Sequence, residues 1–155
     1  GYMHFALQAF ELKTLDYIIK PITERRLQTL LKDVLIRVEQ LRAYEEANKT
    51  LTFKFRDTTL KLKYNDIYYF EKSLRKITVH STQGEFAFYD TMDNLQSRLG
   101  EDLFVKCHSS YIINKQKILE IRNDSIYIKE LDKAVPVSRK NKAIIRDLQE
   151  KNLFI

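Results

Sequence analysis

Glycine occurs 3 times and proline twice in 155 residues. So few glycines cannot build a phosphate-cradling loop, and the shortage of both residues argues against a long disordered stretch. The single cysteine, Cys107, excludes an intramolecular disulfide and a cysteine-rich metal site. No HExxH, GxSxG or Cys–His metal spacing occurs, and His4, His80 and His108 are far apart in sequence. Cys107 and His108 are adjacent, so on a strand they point to opposite faces, a poor arrangement for a nucleophile and its base. Cys107 reads instead as a small buried apolar residue. No enzyme, metal or cofactor is expected. No apolar run is long enough to cross a bilayer, and residues 1–20 lack the basic-then-apolar order of a signal peptide. A cytoplasmic protein with no membrane partner is the expectation.

Hydrophobic residues make up 44% of the chain and charged ones 31%, enough for a core and a well-solvated surface. The net charge of +6 is uneven. Residues 51–155 hold 19 basic and 14 acidic side chains, against 8 and 7 in residues 1–50. A positive field over the C-terminal part attracts polyanions.

Periodicity divides the chain in two. Phe5, Leu7, Ala9, Phe10 and Leu12 fit a short helix, and Leu15-Asp16-Tyr17-Ile18-Ile19, bounded by Lys20-Pro21, fits a buried strand. From Thr23 a long helix is predicted. Its apolar residues Leu27, Leu30, Leu31, Val34, Leu35, Val38 and Leu41 recur at three- and four-residue steps, and the pattern fades over 43–48. From Leu51 the period becomes two. Phe53 and Phe55, a turn at Asp57-Thr58, then Leu60 and Leu62 predict a hairpin. Further strands are predicted over 67–71, 76–80, 85–89, 104–106, 118–121, 125–129 and 134–137. Short helices are predicted over 92–99, ended by Gly100, and over 138–149, capped by Ser138.

Two groups of residues resemble known families. Gly1-Tyr2, Phe5-Ala6-Leu7-Gln8-Ala9-Phe10-Glu11 and Leu15-Asp16-Tyr17-Ile18-Ile19-Lys20-Pro21 resemble the last third of a response-regulator receiver domain. In that family the Lys-Pro pair ends the fifth strand, the lysine contacts the phosphorylated aspartate, and the peptide before proline is commonly cis. Lys20 and Pro21 match the pair, and Tyr17 stands at the family's aromatic switch position. The resemblance implies a mostly helical, partial α/β receiver over residues 1–42, with residues 43–50 as a linker. The receiver's acidic pair and acceptor aspartate would lie ahead of Gly1. This chain is therefore expected not to be phosphorylated in the family's manner, and a sensor histidine kinase would partner the full-length protein only. A lone parallel strand has no neighbour for its hydrogen bonds, so the segment is expected to rearrange as a helix, a dimer contact or a partly disordered piece. The stripe from Leu27 to Leu41 favours a homodimer.

The second group is Asp66-Ile67-Tyr68-Tyr69-Phe70-Glu71, Leu103-Phe104-Val105-Lys106-Cys107-His108-Ser109-Ser110-Tyr111-Ile112-Ile113-Asn114 and Val135-Pro136-Val137-Ser138-Arg139. In order and spacing it resembles a LytTR-type DNA-binding domain, implying a mainly β fold of several short antiparallel sheets with short helices over residues 51–155. The Phe-x-x-Cys-His spelling is similar to the Agr-type branch of regulators of quorum-sensing, bacteriocin and virulence genes. The resemblance implies loops that enter successive major grooves of double-stranded promoter DNA, commonly at two repeats about one helical turn apart. One such loop carries Lys72, Arg75 and Lys76, with the base-reading place open between the last two. Alternation sends Lys106 and His108 to one face and Cys107 to the other. Lys106, His108 and Ser109 would shape or contact DNA, and Asn114 would hold a turn. Arg139 would reach base edges. Ser138 would cap a helix and meet a phosphate, and Lys140 and Lys142 would meet phosphates. Two other function classes fit the residues less well: an RNA-binding β domain using its 9 Tyr and 9 Phe, and a dimerisation module that binds no nucleic acid.

Overall fold

The structure, a computed structural model, describes residues 20–150. The expected helix over 5–12, the strand over 15–19 and Tyr17 lie outside the described residues. The chain divides into two compact units between Glu45 and Glu46.

In the N-terminal unit the Lys20–Pro21 peptide is cis and both residues are exposed. Helix α1 runs from Glu24 to Asn48. Thr23 opens it, its hydroxyl accepting from the Arg26 N–H at 3.2 Å, as a capping threonine does. The helix continues through residues 43–48, where the apolar stripe has stopped. Leu30 is buried, while Leu27, Leu31, Leu35, Val38 and Leu41 are exposed.

The C-terminal unit is three sheets in layers. Strands β1 (Thr50–Phe55) and β2 (Thr58–Lys63) form an antiparallel hairpin. Its turn is Arg56-Asp57, one residue earlier than the sequence suggests, with Arg56 at φ 54°. The central sheet contains β3 (Ile67–Ser73), β4 (Lys76–Ser81), β5 (Gly84–Tyr89), β6 (Phe104–His108) and β7 (Tyr111–Asn114), in the order β5-β4-β3-β7-β6. The third sheet, ordered β10-β9-β8, is made of β8 (Ile118–Arg122), β9 (Ser125–Ile128) and β10 (Ala134–Pro136). Helix α2 (Met92–Leu99) follows β5, and α3 (Lys142–Glu150) follows β10. All pairings are antiparallel.

The central sheet buries both faces. One packs Phe70, Ile77, Val79, Phe88, Phe104 and Ile112 against Leu51, Phe53 and Leu62 of the hairpin and Met92, Leu95 and Leu99 of α2. Phe53 stacks on Phe88 with ring centroids 4.7 Å apart. The other face packs Tyr69, Val105, Cys107 and Ile113 against Ile118, Ile126, Ile128 and Val135 of the third sheet and Ile145 and Leu148 of α3. Fully burying each large aliphatic side chain contributes about 1.5–3 kcal/mol, so two such cores hold the central sheet in place.

β7 is a strand that apolar alternation did not single out. Ile112 and Ile113 are both buried, one in each core, so the run reads as continuous rather than alternating. Asn114, also fully buried, ends it. Its Oδ1 accepts from the Gln116 N–H at 3.0 Å, and its Nδ2 donates to the Tyr64 and Ile67 carbonyls at 3.1 and 2.9 Å. It holds two 3-10 turns, 64–66 and 115–117, side by side.

Candidate nucleic-acid interface

Three turns meet at one end of the central sheet. The first joins β3 to β4 through Leu74-Arg75, and the second joins β6 to β7 through Ser109-Ser110. The third is a 3-10 turn over Arg139–Asn141 between β10 and α3. Backbone bonds tie them together. The Lys72 N–H donates to the Ser110 carbonyl at 2.8 Å, and the Ser138 N–H donates to the Cys107 carbonyl at 2.9 Å. Residues up to 66 positions apart are thereby fixed within one surface. Lys72, Arg75, Lys76, His108, Ser109, Ser138, Arg139 and Lys140 stand on these turns or the strand ends that carry them, and Lys106 stands in the middle of β6.

The cations are distributed differently from a simple loop. Only Arg75 lies in the β3–β4 turn; Lys72 is still in β3 and Lys76 opens β4. Lys72 pairs with Ile77 and shares the face of Phe70 and Val79. Lys76 is directed to the other face, with Nζ 5.4 Å from the Tyr89 ring centre. Lys106 Nζ donates to Asp93 Oδ1 of α2 at 2.6 Å. That bond and the Lys106 charge, with the charges of Lys140 and Lys72, hold the exposed Asp93 carboxyl below its ordinary range. One carboxylate thus bonds the β6 lysine and feels the charges of lysines from β3 and the third turn. Lys142 turns elsewhere, its Nζ 2.5 Å from Asp124 Oδ2 in the β8–β9 turn.

Two expectations about direction are corrected. Lys106 and His108 do not share a face. Lys106 pairs with Ile112 but His108 pairs with Tyr111, because the register shifts between them. A bulge places one extra residue in the strand and reverses the alternation beyond it. His108 therefore lies on the Tyr111 side, its ring centre 5.7 Å from the Tyr111 ring. Its Nδ1 accepts from the Ser110 N–H at 3.1 Å, which makes Nε2 the N–H donor of the neutral ring. Cys107, at the bulge, stays buried, and burial pushes its thiol up to about 12. The second correction concerns Ser138. Its hydroxyl makes no capping hydrogen bond, and α3 begins four residues later, at Lys142, because the 3-10 turn intervenes.

Behind the turns lies a polar layer that sequence reasoning missed. Tyr111 donates its hydroxyl to Glu71 Oε1 at 2.6 Å. The other carboxylate oxygen of Glu71 is 3.4 Å from His80 Nε2 and 4.0 Å from Lys133 Nζ. His80 Nδ1 is 2.9 Å from Glu85 Oε1, and its ring stacks on Tyr69 with centres 4.1 Å apart. These residues come from four strands and a loop, so no local spacing could have revealed them. Leu74, at the tip of the first turn, was also missed as a functional candidate. The signal was available: an apolar residue in the run Lys72-Ser73-Leu74-Arg75-Lys76.

Comparison with known proteins agrees with this fold. The family described as LytTr DNA-binding domain matches residues 57–150. The sensory transduction protein LytT of Bacillus cereus is 32% identical over 153 residues, covering 90% of this chain and 62% of that protein. The transcriptional regulatory protein YpdB of Escherichia coli K12 is 31% identical over 156 residues, covering 92% of this chain and 64% of that protein. Both matches reach ahead of residue 57, and the chain spans less than two thirds of the length of either relative. Among solved structures, the LytTr DNA-binding domain of a Bacillus cereus response regulator superposes with a TM-score of 0.58 at 23% identity, covering 64% of this chain and 95% of that one. The likeness establishes the mainly antiparallel β fold with short helices. The chain belongs to the LytTR family of DNA-binding domains.

Proposed function

We propose that this chain binds double-stranded promoter DNA sequence-specifically, as the output part of a two-component response regulator that controls transcription. The observation that carries this reading is the joining of three turns, the first carrying Arg75 and the third Arg139 and Lys140, at one end of the central sheet through the Lys72–Ser110 and Ser138–Cys107 backbone bonds. No recognition helix is needed, because narrow turns can enter a major groove about 12 Å wide. Arg139 and Arg75 present guanidinium forks to base edges, for which guanine O6 and N7 are the matching acceptors. His108 and Ser109 contact the groove from the second turn. Lys72, Lys76, Lys106, Ser138 and Lys140 meet phosphates or steer the duplex, and Lys142, paired with Asp124, would have to leave that carboxylate to join them. The buried state of Phe53, Phe70, Phe88 and Phe104 speaks against the stacking that RNA recognition would require of them.

The target is two direct repeats about one helical turn apart. The Phe104-x-x-Cys107-His108 spelling favours a quorum-sensing, bacteriocin or virulence regulon, with phosphorelay from a sensor histidine kinase in the full-length protein. The N-terminal boundaries, a receiver part over residues 1–42 and a linker over 43–50, belong to the same proposal. So does a homodimer through the exposed α1 stripe. No helix among the described residues is long and apolar enough to cross a membrane.

Gel-shift titrations against salt, on a duplex selected from a random pool and on an unselected duplex, test the reading. Arg139→Ala should cost about 1–3 kcal/mol on the selected duplex and little on the other. Lys140→Ala should weaken both alike and lower the salt slope by roughly 1. Equal losses on both duplexes for Arg139→Ala would remove it from base reading.

A further inference from the structure

The tip of the β3–β4 hairpin carries a side chain that folding does not explain. Leu74 is 92% exposed, the highest value among the exposed large hydrophobic residues of the described chain. Its φ is 56°, in the left-handed region that favours glycine and asparagine. The other described non-glycine residues with positive φ are Arg56, Asn123, Asp124 and Glu130, all polar. An apolar branched side chain there packs against little and sits on a strained backbone. Local strain of this kind concentrates at functional sites.

The surroundings narrow what Leu74 can meet. Arg75 is beside it, and Lys72 and Lys76 stand two residues away on each side. The turn has only two residues and is anchored to the second turn by the Lys72–Ser110 bond. It is a narrow, held, positively charged tip with an apolar end. The cations attract a polyanion, yet phosphates are hydrated and offer an isobutyl group nothing. The apolar group that a duplex presents on its major-groove floor is the C5-methyl of thymine.

We propose that Leu74 is a specificity-determining residue that reads a thymine methyl in the major groove. The proposal rests on the DNA-binding reading above and adds to it a base preference. Lys72 and Lys76 hold the backbone of the duplex while Leu74 excludes water from one methyl. Cytosine, which lacks the methyl and presents an amino donor at the same edge, is disfavoured at that position.

The test removes single methyl groups. The full chain selects duplexes from a random pool, and each thymine of the selected duplex is replaced in turn by deoxyuridine. The expected result is one thymine at which replacement weakens wild-type binding about fourfold, the worth of one buried methyl. Leu74→Ala should bind the thymine duplex about fourfold more weakly or worse and show no further loss with deoxyuridine there. Leu74→Gly, which also relieves the strained backbone, should behave in the same way. The proposal is overturned if wild type is indifferent to deoxyuridine at every thymine, or if Leu74→Ala keeps the wild-type sensitivity. A loss on all duplexes for Leu74→Ala without any deoxyuridine effect overturns it too, and points to a wedge between base steps. If wild type enriches no duplex at all, the DNA reading falls and this inference with it. Enrichment with indifference to the methyl overturns the inference alone.

Discussion

A hydroxyl that donates to a carboxylate holds its proton more tightly in the folded chain than in the unfolded one. Tyr111 is raised from 10.0 to about 12, first by its hydrogen bond to Glu71 and then by burial. Tyr69 is raised from 10.0 to about 12, first by burial and then by the charges of Glu71 and Glu85. A raised folded value stabilises fully below the unfolded value, and that stability is lost as pH climbs through the folded one. The window for both residues is therefore about pH 10–12. Urea unfolding at about pH 9 and about pH 11.5 measures it. Tyr111→Phe should be less stable than wild type at the lower pH, and the gap should narrow at the higher. A gap that stays constant would mean that the Tyr111–Glu71 bond is not a source of the shift. The same bond links β7 to β3 directly behind the His108 turn, so it braces the surface that the proposal assigns to DNA.

Among the elements, α2 has ends that are set by two residues with different physics. Thr91 caps its start, its hydroxyl accepting from the Asn94 N–H at 3.2 Å. Gly100 ends it with φ 74° and ψ −176°, a combination open essentially to glycine alone. A Cβ placed at Gly100 would meet no atom within 4 Å. The cost of Gly100→Ala is therefore backbone strain without a clash, about 1–3 kcal/mol. Gly100→Asn should cost a similar amount, since asparagine tolerates the left-handed helical region and not this one. Chemical denaturation of both variants checks this, and a neutral Gly100→Asn would show that the turn relaxes. The limits of α2 were legible in the sequence because its caps are local. So were most strands, because Phe53, Leu62, Ile77 and Val79 alternate with polar residues along their own segments. The bulge at Cys107 was not legible. It arises from how β6 registers on β7, and no residue within β6 announces it. The continuous apolar run of β7 hid a strand for a related reason: two cores claim neighbouring residues. In the site, charge and motif spacing picked out residues of the three turns. The Asp93 hub and the Glu71–Tyr111 layer depend on contacts between distant segments and leave no local trace.

For the whole molecule, the decisive fact is where the cores draw their side chains. Among the described residues, both buried clusters use only positions from Leu51 to Leu148. The division between Glu45 and Glu46 leaves every strand among the described residues and the three turns on one side. A chain beginning at Glu46 should therefore unfold in one cooperative transition and bind the selected duplex through the same turns. The first 45 residues contribute something else. Leu27, Leu31, Leu35, Val38 and Leu41 repeat along α1 at helical spacing and are 39–62% exposed. An exposed apolar stripe of this kind favours association over solvation. Sedimentation at micromolar concentration should give twice the chain mass for the full chain and a single-chain mass for residues 46–155. On DNA carrying two repeats, joining two reading ends also raises the effective concentration of the second contact. Loss of α1 should then weaken binding to the double repeat far more than to a single one. A full chain that sediments as a monomer, with equal losses on single and double repeats, would assign the stripe to another partner and leave the three turns as an independent reading head.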